Sequence, residues 1–156
     1  MYEGKIFSDC GPLGGGADVN FTNGLSVITS SGFCRIVSWG VSCRYISGTN
    51  GYVRVGLVRG ISSVVSSENS TFGAYHDTDD TTNVTIEHVP ASMSYNADQV
   101  IDQAFVKADG GIYYKEYPLH RMPRKGVTDS MGLVVLGLDG VVRIRANLNV
   151  VRALGG

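Results

Sequence analysis

At 156 residues, with 43% hydrophobic and 17% charged side chains, the chain can bury one sizeable core and is too apolar for wholesale disorder. A formal net charge of −1 excludes a global electrostatic pull toward nucleic acid or an anionic membrane, so any basic surface must be local. No run approaches the roughly 18 apolar residues of a membrane span, and Met1-Tyr2-Glu3-Gly4-Lys5 lacks the apolar stretch of a secretory signal, which leads us to expect a soluble chain made in the cytosol.

Residues 1–24 show little periodicity and much glycine, including Gly14-Gly15-Gly16, and read as an extended N-terminal arm; residues 25–156 read as one β domain. After the turn signal Asn23-Gly24 comes a short strand, Leu25 to Thr29, and then a long one, Phe33 to Ile46. In the long strand Phe33, Arg35, Val37, Trp39, Val41, Cys43 and Tyr45 share one face, the better core candidate, and Cys34 to Ile46 at alternate positions share the other. Gly48-Thr49-Asn50-Gly51 turns the chain into Tyr52 to Arg59, where Val53, Val55 and Leu57 alternate with Arg54, Gly56 and Val58. A further strand is expected at Ile61 to Val65 or at Ser70 to Tyr75, followed by the polar loop His76 to Thr82 and an extended stretch from Val84 to Val89 that Pro90 stops.

Asn96 to Ala104 is the one helix candidate, with an Asn cap and an early acid. Strands at Phe105 to Lys107 and Ile112 to Tyr117 flank an Asp109-Gly110-Gly111 turn, and a basic loop, His120 to Gly126, leads to the last two runs. Those runs, Gly132 to Leu138 and Val141 to Leu154, are joined by Asp139-Gly140, a pair that favours the type I′ turn of a hairpin. Ile144, Ala146, Leu148 and Val150 then fall on a core face, and Arg143, Arg145, Asn147 and Asn149 on a face for water or a partner. Eight or nine short strands with turn chemistry between them argue for an antiparallel sandwich or barrel with at most one or two short helices in loops. Its expected core includes Trp39, Val41, Val53, Val55, Ile144 and Leu148.

Few constellations carry chemistry. His76, His88 and His120 lie far apart and belong to no nucleophile or metal motif, so no enzyme activity is expected. Cys10, Cys34 and Cys43 match no zinc or redox spacing and read as small buried side chains. Asp77, Asp79 and Asp80 form a loop of hard oxygen ligands that would suit calcium, best between two subunits, although no cofactor is required. Arg54, Arg143, Arg145, Arg121, Arg124 and Lys125 are candidates for contacting nucleic-acid phosphate, the first three as one patch if the terminal strand lies beside that of Arg54. Tyr113, Tyr114 and Tyr117, beside Lys115, could form a platform for sugars or bases.

In order, the strands resemble the eight-stranded jelly-roll shell domain of small icosahedral RNA virus coat proteins. The likeness rests on the long strand with Trp39, the Gly/Asn turn into Tyr52 to Arg59, the aromatic run Thr71 to Tyr75 entering the loop Asp77 to Thr82, and the closing pair Gly132 to Leu136 and Val142 to Leu148. The resemblance implies a structural virion protein that self-assembles into an icosahedral capsid. Its partners would be copies of itself and genomic RNA or DNA on the inner surface, and it would reside in the virion, with assembly in the host cytoplasm. One departure is that Met1 to Asn23 carries only Lys5 where such coats have a basic arm, leaving inner-surface arginines or another protein to neutralise the genome. The alternative is a carbohydrate-binding or receptor-attachment sandwich, such as a fibre head or lectin-like module, using the three tyrosines.

Overall fold

A computed structural model describes residues 2–10, 18–21, 24–29, 33–65, 73–74, 86–88, 92–126, 128–138 and 140–152. In chain order its strands are β1 (Tyr2–Cys10), β2 (Asp18–Phe21), β3 (Gly24–Ile28), β4 (Cys34–Gly48), β5 (Tyr52–Val65), β6 (Gly73–Ala74), β7 (Ile86–His88), β8 (Ser92–Asn96), β9 (Val100–Lys107), β10 (Ile112–Glu116), β11 (Arg124–Lys125), β12 (Ser130–Gly137) and β13 (Gly140–Arg152). Two antiparallel sheets stack as a sandwich. The first runs β10-β4-β13-β1-β6 with β11 also on β4; the second runs β2-β8-β5-β12-β3-β7 with β9 also on β5.

The main core lies between the sheets, where alternate residues of both inner faces interdigitate. Val53, Val55 and Leu57 of β5 meet Trp39, Val41 and Cys43 of β4 there, together with Val142, Ile144, Ala146, Leu148 and Val150 of β13. The six expected core residues are all buried in this cluster. The long strand does not keep one parity, however. Its core side is Cys34 and Ile36 first and then Trp39, Val41 and Cys43, because the register against β13 shifts between Ile36 and Ser38. One extra residue at Val37 reverses the parity, so that Trp39, Val41 and Cys43 continue the face that Cys34 and Ile36 began.

A smaller cluster buries part of the outer face of the second sheet. Val27, Val58 and Val134 are covered by Met93 and Tyr95 of β8. Past the left-handed Gly60 (φ 62), β5 pairs with β8, Ser62 opposite Ser94 and Val65 opposite Ser92, with the left-handed Ser63 (φ 55) at the register shift between the two pairs. The run Ile61 to Val65 is thus the bent end of β5 and not a separate strand. Ile61 and Val64 of this run join the smaller cluster, and Ser62, Ser63 and Val65 are exposed.

Three further expectations are corrected. Tyr2–Cys10, expected within an arm, is a nine-residue strand hydrogen-bonded along β13 from Tyr2 opposite Val150 to Cys10 opposite Val142. The helix expected at Asn96 to Ala104 is one 3-10 turn, Ala97–Gln99, from which β9 leaves to pair with β5 from Val100 onward. Gln99 closes that turn by accepting from the Asn96 N–H at 2.6 Å and donating to the Gly60 carbonyl at 3.0 Å.

The closing runs are not a hairpin. β12 lies between β5 and β3, and β13 between β4 and β1, so each strand has both edges occupied in a different sheet. Buried Leu138 marks where the chain crosses from one sheet to the other. Asp139 lies outside the described residues. Gly140 serves close approach: a Cβ there would come 2.7 Å from the Thr49 carbonyl and 2.9 Å from that of Ser47.

Candidate binding face and the clasp behind it

β10 is an edge strand of the first sheet, and its alternation decides which aromatic goes where. Tyr113 turns inward against Trp39, ring centroids 5.0 Å apart. Ile112 and Tyr114 turn outward and are 81% and 57% exposed. Tyr117 is buried in the core. The three tyrosines therefore do not form one platform, because strand pleating sends Tyr113 and Tyr114 to opposite faces and Tyr117 ends inside.

Register places Tyr114, Gly40 and Asn147 in one row across β10, β4 and β13, and Ile112, Ser42 and Arg145 in the next. Arg44 lies directly opposite Arg143 in the row beyond. Gly40, Ser42, Ile112, Tyr114, Arg145 and Asn147 line a shallow depression of about 410 Å³. Gly40 is its floor. A Cβ at that position would lie 2.7 Å from Asn147 Oδ1, 3.1 Å from the Tyr113 carbonyl and 3.3 Å from Tyr114 Cδ2, so only glycine lets the flanking side chains come this close over the strand.

The other basic candidates are dispersed. Arg54 is on the outer face of the second sheet, its guanidinium donating to the Leu136 carbonyl at 3.5 Å. Because β13 lies beside β4 and not β5, Arg54 forms no patch with Arg143 and Arg145. Arg44 takes that place, and it carried no site assignment in the sequence because only the register across two strands brings it opposite Arg143. Arg121 is exposed in a 3-10 turn, Leu119–Arg121, and Arg124 lies over the Phe33 ring at 4.4 Å. Lys125 is fully buried, donating to the Gly126 carbonyl at 2.7 Å, with its pKa held below the ordinary lysine range by burial. It cannot reach a phosphate. Asp77, Asp79 and Asp80, the calcium candidates, lie outside the described residues, as does His76.

Behind the face a polar clasp closes the open edge of the sandwich, where β10 of one sheet meets β9 of the other. The Trp39 indole donates to the Tyr117 hydroxyl at 2.9 Å, and that hydroxyl donates to Asp102 Oδ2 at 2.6 Å. Lys115 pairs with the same carboxylate oxygen at 2.6 Å and lies 5.2 Å from the Tyr117 ring centre. Burial, and then the hydrogen bond to Asp102, raise the Tyr117 pKa above the ordinary tyrosine value; the hydrogen bond to Asp102 raises that of Lys115. Inward-pointing charges on two edge strands also discourage foreign strands from adding there. Asp102 carried no expectation in the sequence because it lay inside the expected helix; alternation of Ala104 and Val106 on its strand face was the available signal.

No family model matches the chain, and no curated protein does. Among solved structures it is similar at a TM-score of 0.18 and 11% identity to the D431N mutant VP2 protein of infectious bursal disease virus, in derived T=1 particles. The match covers 95% of this chain, which spans about two fifths of that one (39%).

Proposed function

We propose that this chain is a jelly-roll coat subunit that associates with copies of itself into a closed shell around nucleic acid. The observation that carries this reading is the winding of its eight principal strands. Taken in chain order as β1, β3, β4, β5, β9, β10, β12 and β13, the first pairs with the last, the second with the seventh, the third with the sixth and the fourth with the fifth. A long antiparallel ribbon folded over on itself produces this nesting, and the additional pairs β13–β4 and β12–β5 join its turns into two four-stranded sheets. The last two strands fall in different sheets for the same reason.

Exposed apolar side chains support self-association. Tyr52 and Phe105 are 64% and 65% exposed and are diagonal neighbours on the outer face of the second sheet, where Ile101 is exposed too. Surface of this kind, away from the main core, gains by being covered by a neighbouring subunit. A heterologous contact repeated around symmetry axes closes a shell when the rotation closes. The test is multi-angle light scattering and negative-stain microscopy of the purified chain over a concentration series. Discrete closed particles are the expected result, and a monomer throughout would overturn the reading.

A further inference from the structure

The outer face of the first sheet combines three features on neighbouring strands: an exposed aromatic ring, a floor without a side chain, and a row of arginines. Tyr114, Gly40 and Asn147 lie across one row, Ile112, Ser42 and Arg145 across the next, and Arg44 and Arg143 across the third. Rows two residues apart are separated by roughly 7 Å. Arg44, Arg143 and Arg145 are all exposed. Glu116, an exposed carboxylate, stands at the margin of this face, one row beyond Tyr114.

We propose that this face binds single-stranded nucleic acid, with a base stacked on the exposed ring of Tyr114 and the backbone phosphates following Arg145, Arg143 and Arg44. An exposed tyrosine ring stacks any base, since every base has a π face. The depression of about 410 Å³ falls within the range of small-molecule sites, roughly 300–1,000 Å³. Asn147 and Ser42 offer both donors and acceptors to a base edge, and a guanidinium fork fits phosphate oxygens in two places at once. A base held in this way must be free of its complement, so the face discriminates against duplex. The inference rests on the coat-subunit reading only in making this sheet the one that faces the enclosed strand. It offers a subunit of net charge −1 a local hold on a polyanion, since three of its thirteen Lys and Arg residues stand in adjacent rows of one sheet face.

Fluorescence anisotropy with a short labelled oligouridylate, titrated with the full chain at several salt concentrations, tests this. Tyr114→Ala should weaken binding roughly 5- to 150-fold and leave the salt dependence unchanged. Arg143→Gln with Arg145→Gln should lower the slope of log affinity against log salt by about 1 to 2. All three side chains are exposed, and thermal melts of the variants establish that the fold is kept. Equal affinity for a duplex of the same length would overturn the inference. So would a Tyr114→Ala variant that binds as tightly as the parent, or N-acetylneuraminic acid, an acidic sugar, occupying Tyr114 while the oligouridylate does not. Particle formation is read separately by light scattering. Shells without oligouridylate binding would sink this inference and spare the coat-subunit reading; binding by a permanent monomer would do the reverse.

Discussion

Replacing Tyr117 by Phe isolates the clasp at the sandwich edge, because it removes one oxygen and leaves the ring in the core. That oxygen accepts from the Trp39 indole and donates to Asp102. Trp39 is 0% exposed, so its N–H would be left without a partner at a cost of about 1–3 kcal/mol. Asp102 keeps Lys115, and its side chain is 18% exposed, so water recovers part of the second loss. The expected total is about 2–4 kcal/mol, a large share of the roughly 5–15 kcal/mol that holds a domain together. Urea unfolding followed by the fluorescence of Trp39, the one tryptophan in the chain, should show a lower midpoint with the slope unchanged. A double-mutant cycle with Asp102→Asn should give a coupling of at least about 0.5 kcal/mol. If Tyr117→Phe cost less than about 0.5 kcal/mol, the ordinary effect of a surface change, the hydroxyl would not be the link between the sheets that the geometry makes it.

Alkaline pH gives a second check. Tyr117 and Tyr95 both have pKa values raised by burial, so the unfolded chain releases their protons above pH of about 10 while the folded chain retains them. Stability should be intact below that pH and fall above it, and Tyr117→Phe should flatten the fall by about 1.4 kcal/mol per pH unit; identical curves by urea titration would contradict this. Gly111→Ala should cost at least about 2 kcal/mol, because its Cβ would collide with the Lys107 backbone that Gly111 itself hydrogen-bonds at 3.1 Å. The adjacent Gly110→Ala meets nothing within 4 Å and should cost only the left-handed φ of +76, about 1–2 kcal/mol; thermal melts that rank the two the other way would refute the packing explanation. Phe105→Asp should leave monomer stability within about 0.5 kcal/mol and lower self-association by light scattering, and unchanged assembly would remove the outer face of the second sheet from the interface.

Alternation alone was enough to read the inner face of β13, because the strand crosses the middle of a sheet and buries every second residue from Val142 to Val150. It was also enough for Val53, Val55 and Leu57. It failed at Val37, where a single-residue register shift reverses the parity and leaves no mark in composition. The candidate site was legible in its parts and not in its assembly. Arg143, Arg145 and Tyr114 stood out as charged or aromatic residues on strands, but Gly40 and Arg44 acquire meaning only from the residues placed beside them. Lys125 looked like its basic neighbours and is buried.

Local chemistry determined that the chain is predominantly β, where several strands start and stop, and which side of some of them meets the core, since these depend on neighbours within a few residues. Which strands pair was decided by the tertiary structure. Asp139-Gly140 promised a hairpin on local grounds, yet β12 lies between β5 and β3 with one face in the main core and the other in the smaller cluster, and β13 has its two edges taken by β4 and β1. Burial on both sides and satisfied edges outweigh the preference of a two-residue turn, because they involve every residue of both strands.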